Sequence, residues 1–203
     1  MSDAWLRQIR SHVEQHIGRI ERTFPGDPTT ADVLHIAPVQ SRPYHTLVTA
    51  GMSNTAMHVP PEVNAPHRLE LMMTLPEGWQ PAEDWPTRLL QHLSRLPRER
   101  EGWLGWGHTV RNGDPPQPYA PRTELCGVII APSLLVPVAF YELSIDGDRV
   151  AFYGVIPLYQ EELELHAREG MAVLLERLLH ADINDVVHLK RKNVARKKRF
   201  GLF

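Results

Sequence analysis

"RLELMMTLPEGW" occupies Arg68 to Trp79. Taken at every second residue it is a strand, with Leu69, Leu71, Met73 and Leu75 on one side and Glu70, Met72 and Thr74 on the other. The first set is core. The second holds a carboxylate beside a thioether, with His58 and His67 shortly upstream. Such a strand either has one wet face or lines a chemical site. Met72 is expected half-buried under a helix. Glu70 is expected either to hold the sheet together by an ion pair or backbone hydrogen bond, or to touch a partner.

Other short extended runs surround it. Asp32–Val39 and Tyr44–Met52 read as strands separated by "QSRP", and "TAMHVP" (Thr55–Pro60) as another. Their close spacing predicts antiparallel pairing. Downstream, "GWLGWGHTV" (Gly102–Val110) reads as a glycine-rich extended segment and "LCGVIIAP" as an apolar strand. Asp146-Gly147 between apolar β runs predicts a two-residue turn joining Val138–Ile145 to Val150–Ile156.

Three segments have helical periodicity. Trp5, Leu6, Ile9, Val13, Ile17, Ile20 and Phe24 recur at three- and four-residue steps, predicting a helix over 3–24. Leu89, Leu90, Leu93 and Leu96 predict a second, capped by Asp84 and ended by Pro97. Tyr159–Asn184 reads as one long helix. Gly170 in its middle would cost about 1 kcal/mol relative to Ala. Glu161, Glu162 and Glu164 at its start are expected as solvated partners of the helix dipole. The fold class is α+β, open to classification as α/β: a mostly antiparallel or mixed central sheet of about seven strands packed with helices. The expected boundaries are a single domain over 1–189, with its core at about 33–180, and a basic tail over 190–203.

The 203 residues suit one domain, and 42% hydrophobic with 23% charged residues is a globular composition. The lone cysteine, Cys126, excludes an internal disulfide and Cys-rich metal sites, and its apolar strand predicts an inert buried thiol. No secretory signal and no apolar run of about 18 residues is visible, so the cytoplasm is the expected location and no membrane is expected. The net charge is −2, but Lys190 to Arg199 hold seven Lys/Arg and no acid. With those seven taken from the 22 basic residues, 15 remain against 24 acidic ones, a body of −9. A body of that sign does not suit nucleic acid, which only the tail could touch. The tail reads first as solubilising or self-docking.

Catalytic signatures are sparse. There is no Gly-x-Ser-x-Gly elbow, no phosphate loop and no Gly-x-Gly-x-x-Gly. His12 and His16 have an i, i+4 spacing but lack the Glu of a His-Glu-x-x-His motif. His45, His58, His67 and His108 lie on β segments or loops and could converge on a metal, though their spacing does not require it. Trp79, Trp85, Trp103, Trp106 and Tyr119 flank the central loops and suit an interface. Trp103 and Trp106 are odd-spaced, so one is expected in the core and the other as an exposed anchor.

In order, "TAGMS", "ELMMTLP", "GHT" and "PLYQEELEL" resemble the suppressor-of-fused-like domain, over about Val33 to Leu179. The resemblance implies a protein-binding domain with no enzymatic activity, no cofactor, and no catalytic or metal-ligating residues. The animal family member binds a transcription factor through a peptide segment and has a second domain that a chain of this length does not hold. Short, single-domain bacterial relatives resemble immunity proteins that neutralise toxins. The reading is therefore a bacterial immunity protein whose partner is a toxin, basic if the acidic body is complementary to it. The alternatives are a peptide-binding regulator and a metal-dependent hydrolase built on the β-segment histidines. The partner-binding candidates are Glu70, Trp103, Trp106, His108 and Tyr119.

Overall fold

The strand Arg68–Pro76 has no wet face. Leu69, Leu71, Met73 and Leu75 are buried on one side, and Glu70, Met72 and Thr74 are buried on the other. The reason is its place in the sheet. The computed structural model describes residues 3–196, in which helix α1 (Asp3–His16) is followed by strands β1 (Ile20–Phe24), β2 (Asp32–Ile36), β3 (Tyr44–Ala50) and β4 (Arg68–Pro76). Then come helix α2 (Trp85–Glu99), strands β5 (Thr109–Arg111), β6 (Leu125–Ala131), β7 (Glu142–Ile145) and β8 (Asp148–Tyr159), and helices α3 (Gln160–Glu169) and α4 (Met171–His180). The sheet order is β1-β2-β3-β4-β8-β6-β5, with β7 also pairing β8. The strands β1 to β4 form an antiparallel meander, as their spacing predicts. β4 then pairs parallel with β8, Glu70 opposite Phe152, and so lies at the centre of a mixed α+β sheet. Central strands of this kind are covered on both faces.

Alternation decides which face each residue meets. Leu69, Leu71, Val128, Ile130 and Val155 pack with Leu89, Leu90 and Leu93 of α2. On the opposite face, Leu34, Val48, Met72 and Phe152 meet Ile9 and Val13 of α1. That same face continues to Ile129 and Leu158, which pack with Leu163 of α3 and Leu174 and Leu178 of α4. One helix covers one side and three cover the other. Met72 is fully buried rather than half-buried because α1 lies over it.

The structure corrects several expected boundaries. The helix expected over 3–24 stops at His16, and Ile20–Phe24 is a strand paired to β2. Its apolar residues satisfy both periods, and Gly18, at φ 146°, turns the chain between them. Thr55–Pro60 is irregular rather than a strand, and of the glycine-rich segment only Thr109 and Val110 are extended, where β5 begins. Eight strands result, in line with the expected sheet of about seven. Pro97 lies inside α2, and Asp84 pairs with Arg88 at 2.9 Å without capping the helix through its side chain. Asp146 and Gly147 both have positive φ and close the β7–β8 hairpin as a primed turn.

The long helix expected over Tyr159–Asn184 is two helices. Gly170 separates α3 from α4 with φ 85° and ψ 172°, a conformation open essentially to glycine alone. This reverses the sign of an expectation. In an unbroken helix, Gly170→Ala would stabilise the protein by about 1 kcal/mol. At this junction it is expected to destabilise by about 1–3 kcal/mol, read as a lower midpoint in urea unfolding.

Candidate functional site

Glu70 is the carboxylate that raised the question of chemistry, and the fold uses it up. Its side chain is 0% exposed. Oε2 accepts from Thr49 Oγ1 at 2.6 Å. Oε1 accepts from the N–H groups of Gly51 and Ser53, each at 3.0 Å, and from Ser53 Oγ at 2.6 Å. Burial pushes this carboxyl up, and the four donors pull it back down. Thr49 Oγ1 in turn accepts the Leu71 N–H at 2.8 Å, and Trp5 Nε1 donates to Ser53 Oγ at 3.1 Å. Glu70 therefore fastens the turn after β3 to β4. With no accessible surface it cannot touch a partner, which removes it from the expected binding residues.

The acidic start of α3 is likewise structural. Glu162 is 0% exposed, not solvated. It accepts the Tyr159 N–H at 3.0 Å, capping the helix, and forms an ion pair with Arg191, whose side chain is 7% exposed. Glu161 accepts from Asn193 and Arg196. The start of the basic tail is therefore docked on the body through residues 191–196, and residues 197–203 lie outside the described residues.

The other candidate nucleophiles and metal ligands are dispersed. Cys126 is buried, and desolvation pushes its thiol up. His12 packs on Phe140, with centroids 5.1 Å apart, and has a ring nitrogen 3.1 Å from the Phe140 carbonyl. His45 is paired with His35 at 2.8 Å between ring nitrogens. Among the described residues, no three His, Cys, Asp or Glu side chains form a metal-binding group. No described helix is long and apolar enough to cross a membrane.

What the fold does build is a groove along the β5 edge of the sheet, of about 1070 Å³. The end of α2 (His92, Leu96, Arg100) and Trp103 lie to one side, β5 runs along it, and His166 of α3 closes the other. The backbone pattern of β5 makes this edge specific. Ile130 N donates to His108 O and Asn112 N donates to Cys126 O, with Val110 opposite Val128 between them. Antiparallel ladders alternate, so the main-chain groups of Thr109 and Arg111 point away from β6 into the groove. They have no partner among the described residues, which leaves an open strand edge.

Of the five expected binding residues, Trp103 and His108 line this groove, their rings 4.1 Å apart. Burial pushes His108 down, against a backbone hydrogen bond near Trp103 that favours the charged ring. Trp106 is 54% exposed and faces a separate apolar cavity of about 240 Å³ with Leu134 and Leu179. Tyr119 stacks on Trp85 at 5.5 Å with its hydroxyl buried, so it serves the packing beneath the loop. Thr109, Arg100, Arg111 and His166 were not among the candidates. Arg100 and Arg111 flank "EGWLGWGHTV", and their positions at the ends of that segment were the available signal.

The quoted sequence fragments thus become sites of fastening and of opening: "TAGMS" and "ELMMTLP" share the Glu70 cluster, "PLYQEELEL" holds the tail, and "GHT" opens the groove. A family model described as Suppressor of fused protein (SUFU) matches residues 27–192. The chain belongs to the suppressor of fused family. Among solved structures, a protein described as a SUFU homologue from Neisseria gonorrhoeae aligns with a TM-score of 0.73 at 15% identity, over 96% of this chain and 98% of its own. A chain of the Sufu–Fu complex aligns at 0.67 and 16% identity, over 94% of this chain and 92% of its own. Drosophila Suppressor of Fused aligns at 0.59 and 15% identity over 94% of this chain but 51% of its own, so this SUFU chain spans about half that protein. At these identities the likeness establishes a shared SUFU fold. No curated protein matches the sequence.

Proposed function

We propose that this chain is a non-enzymatic protein-binding domain that holds its partner at the groove along β5. The observation that carries this reading is the open β5 edge, with the main-chain groups of Thr109 and Arg111 facing a groove large enough for a peptide segment. Membership in the SUFU family, and the likeness to a chain solved in the Sufu–Fu complex, support it. So does the engagement of the buried carboxylates Glu70 and Glu162 in hydrogen bonds and an ion pair within the fold, away from the groove. Affinity capture from a native lysate is expected to retain a specific protein on the wild-type chain and much less of it on Thr109→Pro. That substitution removes an N–H that faces away from β6 and keeps the ladder. Capture of no specific protein overturns the reading.

The finer reading is a bacterial immunity protein acting in the cytoplasm on a toxin. With residues 190–196 counted in the folded body, 19 basic residues stand against 24 acidic ones, and this charge of −5 supports a basic toxin domain by complementarity. A secreted protein encoded beside this chain, with a toxic C-terminal domain whose growth arrest is relieved by co-expression of this chain, is the expected finding. Failure to relieve it removes the toxin and leaves the binding domain.

A further inference from the structure

We infer that the groove along β5 selects an extended peptide segment carrying acidic side chains. The inference rests on the protein-binding reading above and goes beyond it by naming the chemistry of the bound segment.

The charge of the groove is opposite to that of the body. Its lining carries the guanidinium groups of Arg100 and Arg111 and, among the described residues, a single carboxylate, Asp114. Both arginines are exposed, and neither guanidinium has an ion-pair or hydrogen-bond partner among the described residues. Several other arginines are paired within the fold: Arg68 with Asp148, Arg149 with Glu142, Arg177 with Glu169 and Arg196 with Glu124. His92 and His108 add little charge at neutral pH, since burial pushes both rings down. The two arginines therefore set the field of the groove.

Their placement suits a strand. Val110 packs into the core under α2, so Thr109 and Arg111 project their side chains to the opposite face, toward α3. Arg100 stands at the end of α2, on the other face. A segment added along β5 would turn alternate side chains to the two faces, so carboxylates an odd number of residues apart could each meet one arginine. Main-chain pairing to Thr109 and Arg111 supplies affinity without sequence, and the arginines supply the choice of sequence. A nucleic acid is the weaker occupant. It cannot use the strand edge, and a folded body of −5, with residues 190–196 included, repels a polyanion more than a short peptide with one or two carboxylates.

The test is selection from a random-peptide display library on the purified full chain, followed by affinity measurements on the selected peptides. Selected sequences are expected to be enriched in Asp and Glu. Arg100→Glu and Arg111→Glu are each expected to weaken acidic peptides by about three- to tenfold, and the double variant to select basic ones. Thr109→Pro is expected to weaken acidic and neutral peptides alike. Because both arginines are exposed, circular dichroism and melting should match the wild type; Arg100→Gln and Arg111→Gln provide milder versions. Selection without acidic enrichment, or acidic enrichment unchanged by the charge reversals, overturns the inference. Tighter binding of a single-stranded oligo-dT at the same arginines assigns the groove to nucleic acid and also overturns it. Peptides selected without regard to charge but lost in Thr109→Pro overturn the charge inference alone and leave the binding domain in place.

Discussion

Glu70→Ala is expected to lower the stability of the protein by about 3–5 kcal/mol. The substitution removes the acceptor for Gly51 N–H, Ser53 N–H, Thr49 Oγ1 and Ser53 Oγ at once, in a place that no water reaches. Each orphaned buried donor costs about 1–3 kcal/mol, and relaxation of the turn at 51–54 recovers part of the total. For a domain holding about 5–15 kcal/mol in all, this is a large share. Glu70→Gln separates shape from charge. Its carbonyl can still serve the donors on Oε1, and its amide can donate to Thr49 Oγ1, so its expected cost is about 1–3 kcal/mol. The pH dependence follows from the direction of the shift. Burial raises this carboxyl above its ordinary 4.5. Its contribution is therefore fully present below that value and is lost as pH rises through the folded-state value. Glutamine does not titrate, so the deficit of Glu70→Gln relative to wild type is expected to shrink as pH rises. Urea unfolding of both variants across that range checks size and sign. A deficit for Glu70→Ala below about 1 kcal/mol would mean that the turn does not depend on this carboxylate.

The strand around Glu70 also shows how far the sequence could be read. Alternation assigned Leu69, Leu71, Met73 and Leu75 to one face correctly, because period two is a property of the strand itself. It could not reveal that the other face is covered, because coverage depends on α1 arriving from sixty residues away. The helical stripe runs on past the end of α1 for a related reason. Ile17, Ile20 and Phe24 fit a helical stripe and also a short strand, and only pairing with β2 decides between them. Gly170 was legible as a glycine within apolar periodicity, but its positive φ was not. At the groove, aromatic content brought out Trp103 and His108. The arginines escaped because a single guanidinium at a segment boundary has no signature until the sheet edge beside it is known.

The same limit applies to the tail, where composition left solubilising and self-docking roles undivided. Lys190 to Arg199 read as a solubilising or self-docking basic run, and Arg191 docks, its side chain only 7% exposed. Its guanidinium donates to both oxygens of Glu162 and to the Pro157 carbonyl, and lies over the Tyr159 ring at 5.0 Å. Tyr159 completes the clamp by donating its hydroxyl to the Arg191 carbonyl at 2.6 Å. Arg191→Ala is expected to destabilise by about 3–5 kcal/mol, because it strands Glu162 as a buried charge. Arg191→Lys should recover little of this loss, since an ammonium cannot serve two carboxylate oxygens and a carbonyl in one plane. The revealing variant is Arg191→Met with Glu162→Gln. It removes both charges and keeps most of the volume, and is expected to be more stable than Arg191→Ala. Denaturant unfolding of the three variants ranks them. If Arg191→Ala matches the wild type, the segment at 191–196 is a passive tail after all. If it falls as expected, this segment is part of the folded body and helps anchor α3, which bears the His166 wall of the groove.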